Sequence, residues 1–259
     1  ISNSEGNREG VQTACWRFDR WRWHSTRGRL ANAWRDVRDD DNVRVAIITG
    51  KGSALCAGAD LGQLIPLRTG ARQPENEWDE KVPADPGLVS SAILRGFDTV
   101  KPVIAAINGH AIAGGMELVQ GTDIRVSCPE ATFGVQEVRW AIFPAGGSTV
   151  RMPRQMPYRK AMELMLTGDL ITADEALALG FLNHVVPADT VLAKAIEIAE
   201  KIAANGPIAV KAIRQSVRAC LGHPEADGLQ MELEHAAPVF ATEDAREGPR
   251  AFMEKRAPK

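Results

Sequence analysis

The sequence lacks most of the features that mark whole classes of protein. Its four cysteines, Cys15, Cys56, Cys128 and Cys220, are far apart and follow no C-x-x-C spacing. Scattered thiols suit a reducing compartment, so free cysteines, no structural metal and a cytoplasmic location are expected. No run of about 18 apolar residues occurs, so no membrane-spanning helix is expected. The first apolar residues are dispersed among Asn, Glu and Arg, so no signal-peptide core is expected either. The formal net charge is only −2 and the isoelectric point is about 6.3, which gives no electrostatic case for nucleic acid as a partner. The nucleotide-binding spacings G-x-x-x-x-G-K-[ST] and G-x-G-x-x-G are both absent, and no G-x-S-x-G elbow accompanies any histidine.

What is present is a chain of 259 residues, 44% of them hydrophobic. That is enough for one large domain, or one domain with an appendage. The start is unusual: Cys15-Trp16-Arg17-Phe18-Asp19-Arg20-Trp21-Arg22-Trp23-His24 mixes three of the six tryptophans with arginine. The alternation of Trp16 and Phe18 fits a strand. The Trp/Arg mixture would also fit stacking on nucleic acid, which the neutral net charge argues against. From residue 30 the pattern is clearer. Leu30, Ala33, Trp34 and Val37 share one helical face, and Asp39-Asp40-Asp41-Asn42 ends that helix. Residues 43–50 form a strand closed by a Gly50-Lys51-Gly52-Ser53 turn. Residues 66–86 are rich in Pro, Gly, Arg, Glu and Asp and are expected to be a mobile lid or binding loop. A helix is expected over about 87–99. Strands follow near 103–107, 123–127 and 131–134, and a short strand or connector at 183–187. Thr172 and Glu175 make a capping box, and Gly180 stops the helix it opens. Helices are expected near 189–204, 207–220, 225–240 and 242–255. Strands alternating with helices, then helices alone, indicate an α/β core, residues 1–190, with a helical C-terminal region, 191–259.

The centre of the chain is 101–128. Its order is a fully apolar strand, an Asn108-Gly109 turn, the pair Gly114-Gly115, and a helix that carries Glu117 in its first turn. Free N–H groups at a helix start attract negative charge, and glycine lets a ligand approach the backbone. A site that stabilises a developing oxyanion beside a carboxylate would have this form. Tight helix packing and dipole complementation by Glu117 would also have it, so the stretch alone leaves both open.

Four blocks together resemble the crotonase superfamily, whose best-known member is enoyl-CoA hydratase: L-C-A-G-A-D-L at 55–61, K-P-V-I-A-A-I-N-G-H-A-I-A-G-G-M-E-L at 101–118, F-G-V-Q-E-V-R-W-A-I-F-P-A-G-G at 133–147, and L-T-G-D-L-I-T-A-D-E-A-L-A-L-G-F-L-N-H-V-V-P at 166–187. The resemblance covers about 30–259. It implies a repeated ββα core, a C-terminal helical region that builds trimers or hexamers, and an acyl-CoA thioester as substrate with no further cofactor. It also implies an oxyanion hole from the backbone N–H groups of Ala59 and Gly114. The residues around Ala59, namely Cys56, Ala57, Gly58, Asp60 and Leu61, would line the CoA arm, and Leu64, Trp140 and Phe143 would shape the acyl pocket. For the two aromatics, core packing is an equal reading. Hydratases of this kind carry two glutamates, and the chain has both, Glu117 and Glu137. Water adds to an α,β-unsaturated thioester when the carbonyl is polarised, a carboxylate activates the water and a proton reaches the α-carbon, so two carboxylates on one water suit the task.

The resemblance implies reversible hydration of a 2-enoyl-CoA. An enoyl-CoA isomerase and a non-catalytic relative on the same scaffold are the alternatives. Lys51, Arg68, Arg72 and Lys255 would meet CoA phosphates or remain solvated charges, and His110 and His184 read as structural. Residues 1–29 depart from the family pattern, because they show neither its opening β-hairpin nor its N-R-P-x-x-x-N-A-L-like segment. A diverged hairpin and a shifted reading frame both explain this departure, which bears on how CoA is held.

Overall fold

A computed structural model describes residues 2–8, 11–18, 23–76, 79–80 and 86–258. Its first elements are a hairpin, β1 (Ser2–Arg8) and β2 (Val11–Phe18), paired antiparallel. The expectation that residues 1–29 lack an opening hairpin is overturned; only the alternation at Trp16 and Phe18 pointed to a strand there. The backbone pairing supplies it: β2 also runs parallel to β3 (Val43–Gly50), continuing the main sheet. Helix α1 (Trp23–Asp39) lies between them. Its buried face is the expected one, Leu30, Ala33, Trp34 and Val37, and the indole N–H of Trp34 donates to the Ala92 carbonyl at 3.0 Å.

Three times the chain places a strand in a six-stranded sheet, the next strand in a four-stranded sheet, and then a helical turn or helix. First come β3, β4 (Ala54–Cys56) and α2 (Leu61–Thr69). The second set is β5 (Val103–Ile107), β6 (His110–Ile112) and α4 (Gly114–Gln120). The third is β7 (Ile124–Ser127), β8 (Thr132–Gly134) and a 3-10 turn over Glu137–Trp140. Helix α3 (Pro86–Ala92) precedes β5. The large sheet has the order β1-β2-β3-β5-β7-β10, with β10 at His184–Val185, and the smaller has β4-β6-β8-β9, with β9 at Ile171–Thr172. This is the expected ββα repeat. Every residue of β5 is buried, as a continuous apolar run in a parallel sheet requires.

The turns that pass the chain between the sheets are locked together. Asn108 Oδ1 accepts from the Gly50 N–H at 3.0 Å and its Nδ2 donates to the Gly52 carbonyl at 2.7 Å. A Cβ on Gly109 would lie 2.1 Å from the Ser53 carbonyl oxygen, so only glycine lets the two turns touch.

Helices α5 (Ser148–Gln155), α6 (Tyr158–Thr167) and α7 (Ala173–Ala178) follow. The Thr172–Glu175 capping box is present in both directions, at 3.2 Å and 2.9 Å. Helix α8 (Val191–Ala203) lays Val191, Ala195, Ala199 and Ala203 on the sheet, and their small size lets the helix lie close. Then come α9 (Pro207–Cys220), α10 (Glu225–Phe240) and α11 (Asp244–Met253). Arg214 of α9 ties this region to the core, donating to Asp123 at 2.8 Å and Asp98 at 2.5 Å.

Two expectations change. The helix expected over 87–99 ends at Ala92, because Leu94 takes a positive φ of 57° and the Leu94 carbonyl turns to accept from the Arg151 guanidinium. Residues 66–86 are not one loop: Pro66 and Leu67 belong to α2, and Arg72 pairs with the buried Asp79 at 2.8 Å. The rest of that expectation lies at 77–78 and 81–85, outside the described residues. Among the described residues no helix is long and apolar enough to cross a membrane.

Candidate active site

The three repeats end side by side, so the segments that leave the smaller sheet converge on one cleft of about 180 Å³. The first segment is 57–60, from β4 to α2. Asp60 caps α2, its side chain accepting from the Gly62 N–H at 3.0 Å, which fixes where the helix starts. Ala57, Ala59, Leu61 and Leu64 line the cleft. Cys56, Gly58 and Asp60 do not. Cys56 lies in β4, and Gly58, at φ 98°, packs against Ala113.

The second segment is α4, whose residues are all buried. Gly114 opens it, and its N–H has no acceptor within the helix. Ala113, just before it, holds φ 54° and ψ −122°, an uncommon conformation for a side-chain-bearing residue that costs on the order of 1–3 kcal/mol. It is kept there by two hydrogen bonds: the Ala113 N–H donates to the Gly134 carbonyl at 2.9 Å, and the Ala113 carbonyl accepts from the Glu117 N–H at 3.0 Å. Gly115 sets the depth of the helix, because a Cβ there would lie 2.1 Å from the Cys56 carbonyl oxygen. This close approach brings Gly114 beside segment 57–60: a Cβ on Gly58 would lie 3.5 Å from the Gly114 nitrogen. Among the described residues neither the Ala59 nor the Gly114 N–H has a hydrogen-bond acceptor.

Glu117, on the same helix, is 5% exposed. Its Oε1 accepts from the Gly146 N–H at 2.5 Å and from the Ser148 hydroxyl at 3.4 Å. Ser148 is itself buried and accepts from Gln120 Nε2 at 3.1 Å. A Cβ on Gly146 would meet Glu117 Oε2 at 2.0 Å, so a side chain there would displace the carboxylate. Donors to a carboxylate favour its ionised form. The Arg151 guanidinium reaches beneath α4 to the Glu117 carbonyl at 3.4 Å and the Ile93 carbonyl at 3.5 Å.

Glu137 faces the same cleft from the third segment, at the start of the 3-10 turn. One of its oxygens is buried with no hydrogen-bond partner. Burial above all, and then the charge of Glu117, push its carboxyl up from the ordinary 4.5 to about 7. The two glutamates of one cleft therefore sit in unlike surroundings, one oxygen of Glu117 accepting from two donors and one oxygen of Glu137 from none. Trp140 and Phe143 are 65% and 67% exposed and line the cleft mouth, so the core-packing reading of these aromatics is set aside. His110 is exposed and its Nδ1 lies 2.9 Å from the Thr132 hydroxyl, while His184 sits exposed on β10; neither reaches the cleft.

Of the residues the sequence singles out, Ala57, Ala59, Leu61, Leu64, Gly114, Glu117, Glu137 and Trp140 line one cleft, and several other side chains beside them carry no sequence signal. Gly146 and Ser148, which hold Glu117, were visible only as a glycine-rich rise into a helix. Arg95, Ile93 and Ile142 also line the cleft and lie in no pattern that would mark them.

Comparison with known proteins follows the same lines. The sequence profile of the enoyl-CoA hydratase/isomerase family matches residues 24–259. Enoyl-CoA hydratase EchA19 of Mycobacterium tuberculosis is 44% identical over 229 residues, 88% of this chain and 84% of that protein. Carnitinyl-CoA dehydratase of Salmonella typhi is 36% identical over 234 residues, 88% of this chain and 85% of that one. Among solved structures, the enoyl-CoA hydratase of Bacillus anthracis superposes with a TM-score of 0.85 at 36% identity, covering 99% of this chain and 98% of that one. The sequence profile begins at residue 24, whereas the structural match extends over the opening hairpin.

Proposed function

The chain belongs to the enoyl-CoA hydratase/isomerase family, and from that premise we propose that it adds water reversibly to a 2-enoyl-CoA thioester. One observation carries the reading: two carboxylates, one held by donors and one with a carboxyl pushed up to about 7, face a cleft bordered by two unengaged backbone N–H groups. In this reading the thioester oxygen accepts from Ala59 and Gly114, which draws electron density from the β-carbon and stabilises the enolate. Each such donor is worth about 100- to 1000-fold in rate. Glu117, ionised, takes a proton from water as the oxygen bonds to the β-carbon. Glu137, protonated, gives its proton to the α-carbon. The pair ends with the proton on Glu117, and dehydration starts from that arrangement. The steps use no group beyond the thioester and water.

An isomerase needs only one carboxylate to carry a proton along the chain, so the presence of Glu137 in the cleft favours hydration. A relative named for dehydration fits the same chemistry run backwards. We further propose that α9 to α11 build a trimer or a pair of trimers, since Ile213, Val217, Leu233 and Phe240 are each more than 60% exposed and would be covered there. Sedimentation would show a monomer if this is wrong.

Glu117→Gln and Glu137→Gln are each expected to lower kcat/KM for hydration of crotonyl-CoA about 100- to 10,000-fold, with little change in affinity for a saturated acyl-CoA. Full activity in either variant sinks the assignment. Incubating 2-enoyl-CoA and 3-enoyl-CoA separately, and identifying the products, separates hydration from double-bond shift.

A further inference from the structure

The cleft contains two guanidinium groups that the hydration chemistry does not use. Arg68 and Arg95 both line it. Both residues are exposed, and among the described residues neither guanidinium has a hydrogen-bond or ion-pair partner. Other arginines nearby are engaged: Arg72 pairs with Asp79 and Glu75, and Arg139 with Asp169. The cleft's own carboxylates do not neutralise the pair, since Glu117 is held by Gly146 and Ser148 and Glu137 has an oxygen without a partner.

Their position along the cleft is also informative. Leu61, Leu64, Ile65 and Arg68 all line it, and their spacing puts them on one stripe of α2. Moving from the Ala59 amide, a ligand would pass three apolar side chains and then meet a cation. Seven residues of helical rise carry this stripe about 10 Å from Leu61 to Arg68, and the side chains of a helix lean back toward its N-terminus, which shortens that reach. Arg95 stands on another wall, just after Ile93. The half-buried Arg151 guanidinium donates to carbonyls of Ile93, Leu94 and Glu117. It lies below its ordinary pKa, first through burial and then through the positive charges of Arg218 and Arg95. Among the described residues, the end of the cleft that Arg68 lines therefore has a cation with no anion to match it.

We propose that this end receives a carboxylate at the far end of the acyl chain, so that the substrate is a 2-enoyl-CoA whose acyl group is a dicarboxylic acid, held by Arg68 and Arg95. The inference rests on the hydratase reading. Guanidinium forks match a carboxylate in two parallel hydrogen bonds, and such bonds are among the stronger that a surface cleft can make. The apolar stretch between the amide and the cation suits the methylene groups between the two ends of such a chain. CoA carries phosphates of its own, and the experiment separates the two sources of anion.

The test compares two 2-enoyl thioesters of equal length, one ending in a carboxylate and one in a carboxamide, each made with CoA and with pantetheine, which lacks the nucleotide. The wild type is expected to favour the carboxylate about tenfold or more in kcat/KM. In Arg68→Gln and Arg95→Gln that preference should fall about tenfold, with CoA and pantetheine alike. Equal use of the two chains by the wild type overturns the proposal. So does a loss in the variants that is the same for both chains and disappears with pantetheine, which assigns the arginines to the CoA phosphates. Calorimetry with the saturated thioesters keeps this apart from the hydratase reading: carboxylate preference in binding without turnover supports the anion site and removes the hydratase, whereas turnover without preference does the reverse.

Discussion

The two walls that present the glutamates are built on opposite principles. On the α4 wall the whole helix is buried, its depth is set by the contact between Gly115 and the Cys56 carbonyl, and Glu117 is held by two donors. On the other wall no residue of the 3-10 turn is fully buried, Val138 and Trp140 are exposed, and one Glu137 oxygen has no partner. One wall resists change and holds its carboxylate by hydrogen bonds. The other buries an oxygen of its carboxyl without a donor, which pushes that carboxyl up to about 7. Unequal packing thus gives two identical residue types different work, the division that paired acid–base sites require.

The largest effect should follow from disturbing the rigid wall. Gly115→Ala places a Cβ 2.1 Å from a backbone oxygen, which no side-chain movement can relieve. A loss of about 3 kcal/mol or more is expected by denaturant unfolding. In the fraction that folds, displacement of the Gly114 N–H should lower kcat/KM about 100- to 1000-fold. Val138→Ala, at an exposed position of the other wall, should cost less than about 0.5 kcal/mol. Similar costs for the two variants would erase the contrast.

Next in size is the pH dependence. Hydration and dehydration both start from a pair that holds one proton, on Glu137 in one direction and on Glu117 in the other. Since Glu137 loses its proton at about 7, kcat/KM should fall about tenfold per pH unit above that value. The limb should be the same in both directions, because adding neutral water has an equilibrium constant independent of pH. A profile flat from pH 6 to 9 would falsify the assignment of the proton to this pair.

Much of this contrast could not be read from sequence. The repeat of strand, strand and helix was legible because parallel buried strands write themselves as apolar runs such as 103–107, and Gly114-Gly115 with Glu117 marked the helix start. The Thr172–Glu175 box was legible because its chemistry is local. The opening hairpin was not, since its pairing with β3 is a relation between distant segments. The early end of α3 was hidden too, because it depends on Arg151, more than fifty residues away, drawing the Leu94 carbonyl out of the helix. The unequal environments of Glu117 and Glu137 belong to the same class. The residue names are identical, and only the third repeat folding against the second reveals which carboxylate finds donors.

A smaller effect probes how Glu117 is held. Ser148→Ala removes the weaker of its two donors, the hydroxyl at 3.4 Å, and leaves Gln120 Nε2 without its 3.1 Å acceptor. About a tenfold fall in kcat is expected, with KM less affected, because the hydroxyl touches Glu117 rather than the substrate. A fall in KM-dependent binding with unchanged kcat would instead assign Ser148 to the substrate.

The smallest effect is on stability, and it has a definite sign. Glu137 ionises at about 7 in the folded chain against an ordinary 4.5. Below pH 4.5 the carboxyl is neutral in both states and costs nothing. As pH rises toward 7 the unfolded chain ionises first, so the folded state loses stability, and above the folded value the loss is complete. Because the group is only partly removed from solvent, the loss is at most about 1–2 kcal/mol. Glu137→Gln escapes it: the variant should match the wild type near pH 4 and exceed it by about 1 kcal/mol at pH 8. The same comparison on Glu117→Gln should go the other way at pH 8, because that change takes an ionised acceptor from the Gly146 N–H and the Ser148 hydroxyl. If both variants are less stable than the wild type at pH 8, Glu137 is as well solvated as its partner is well bonded. The physical reason for giving the two carboxylates different roles would then be gone.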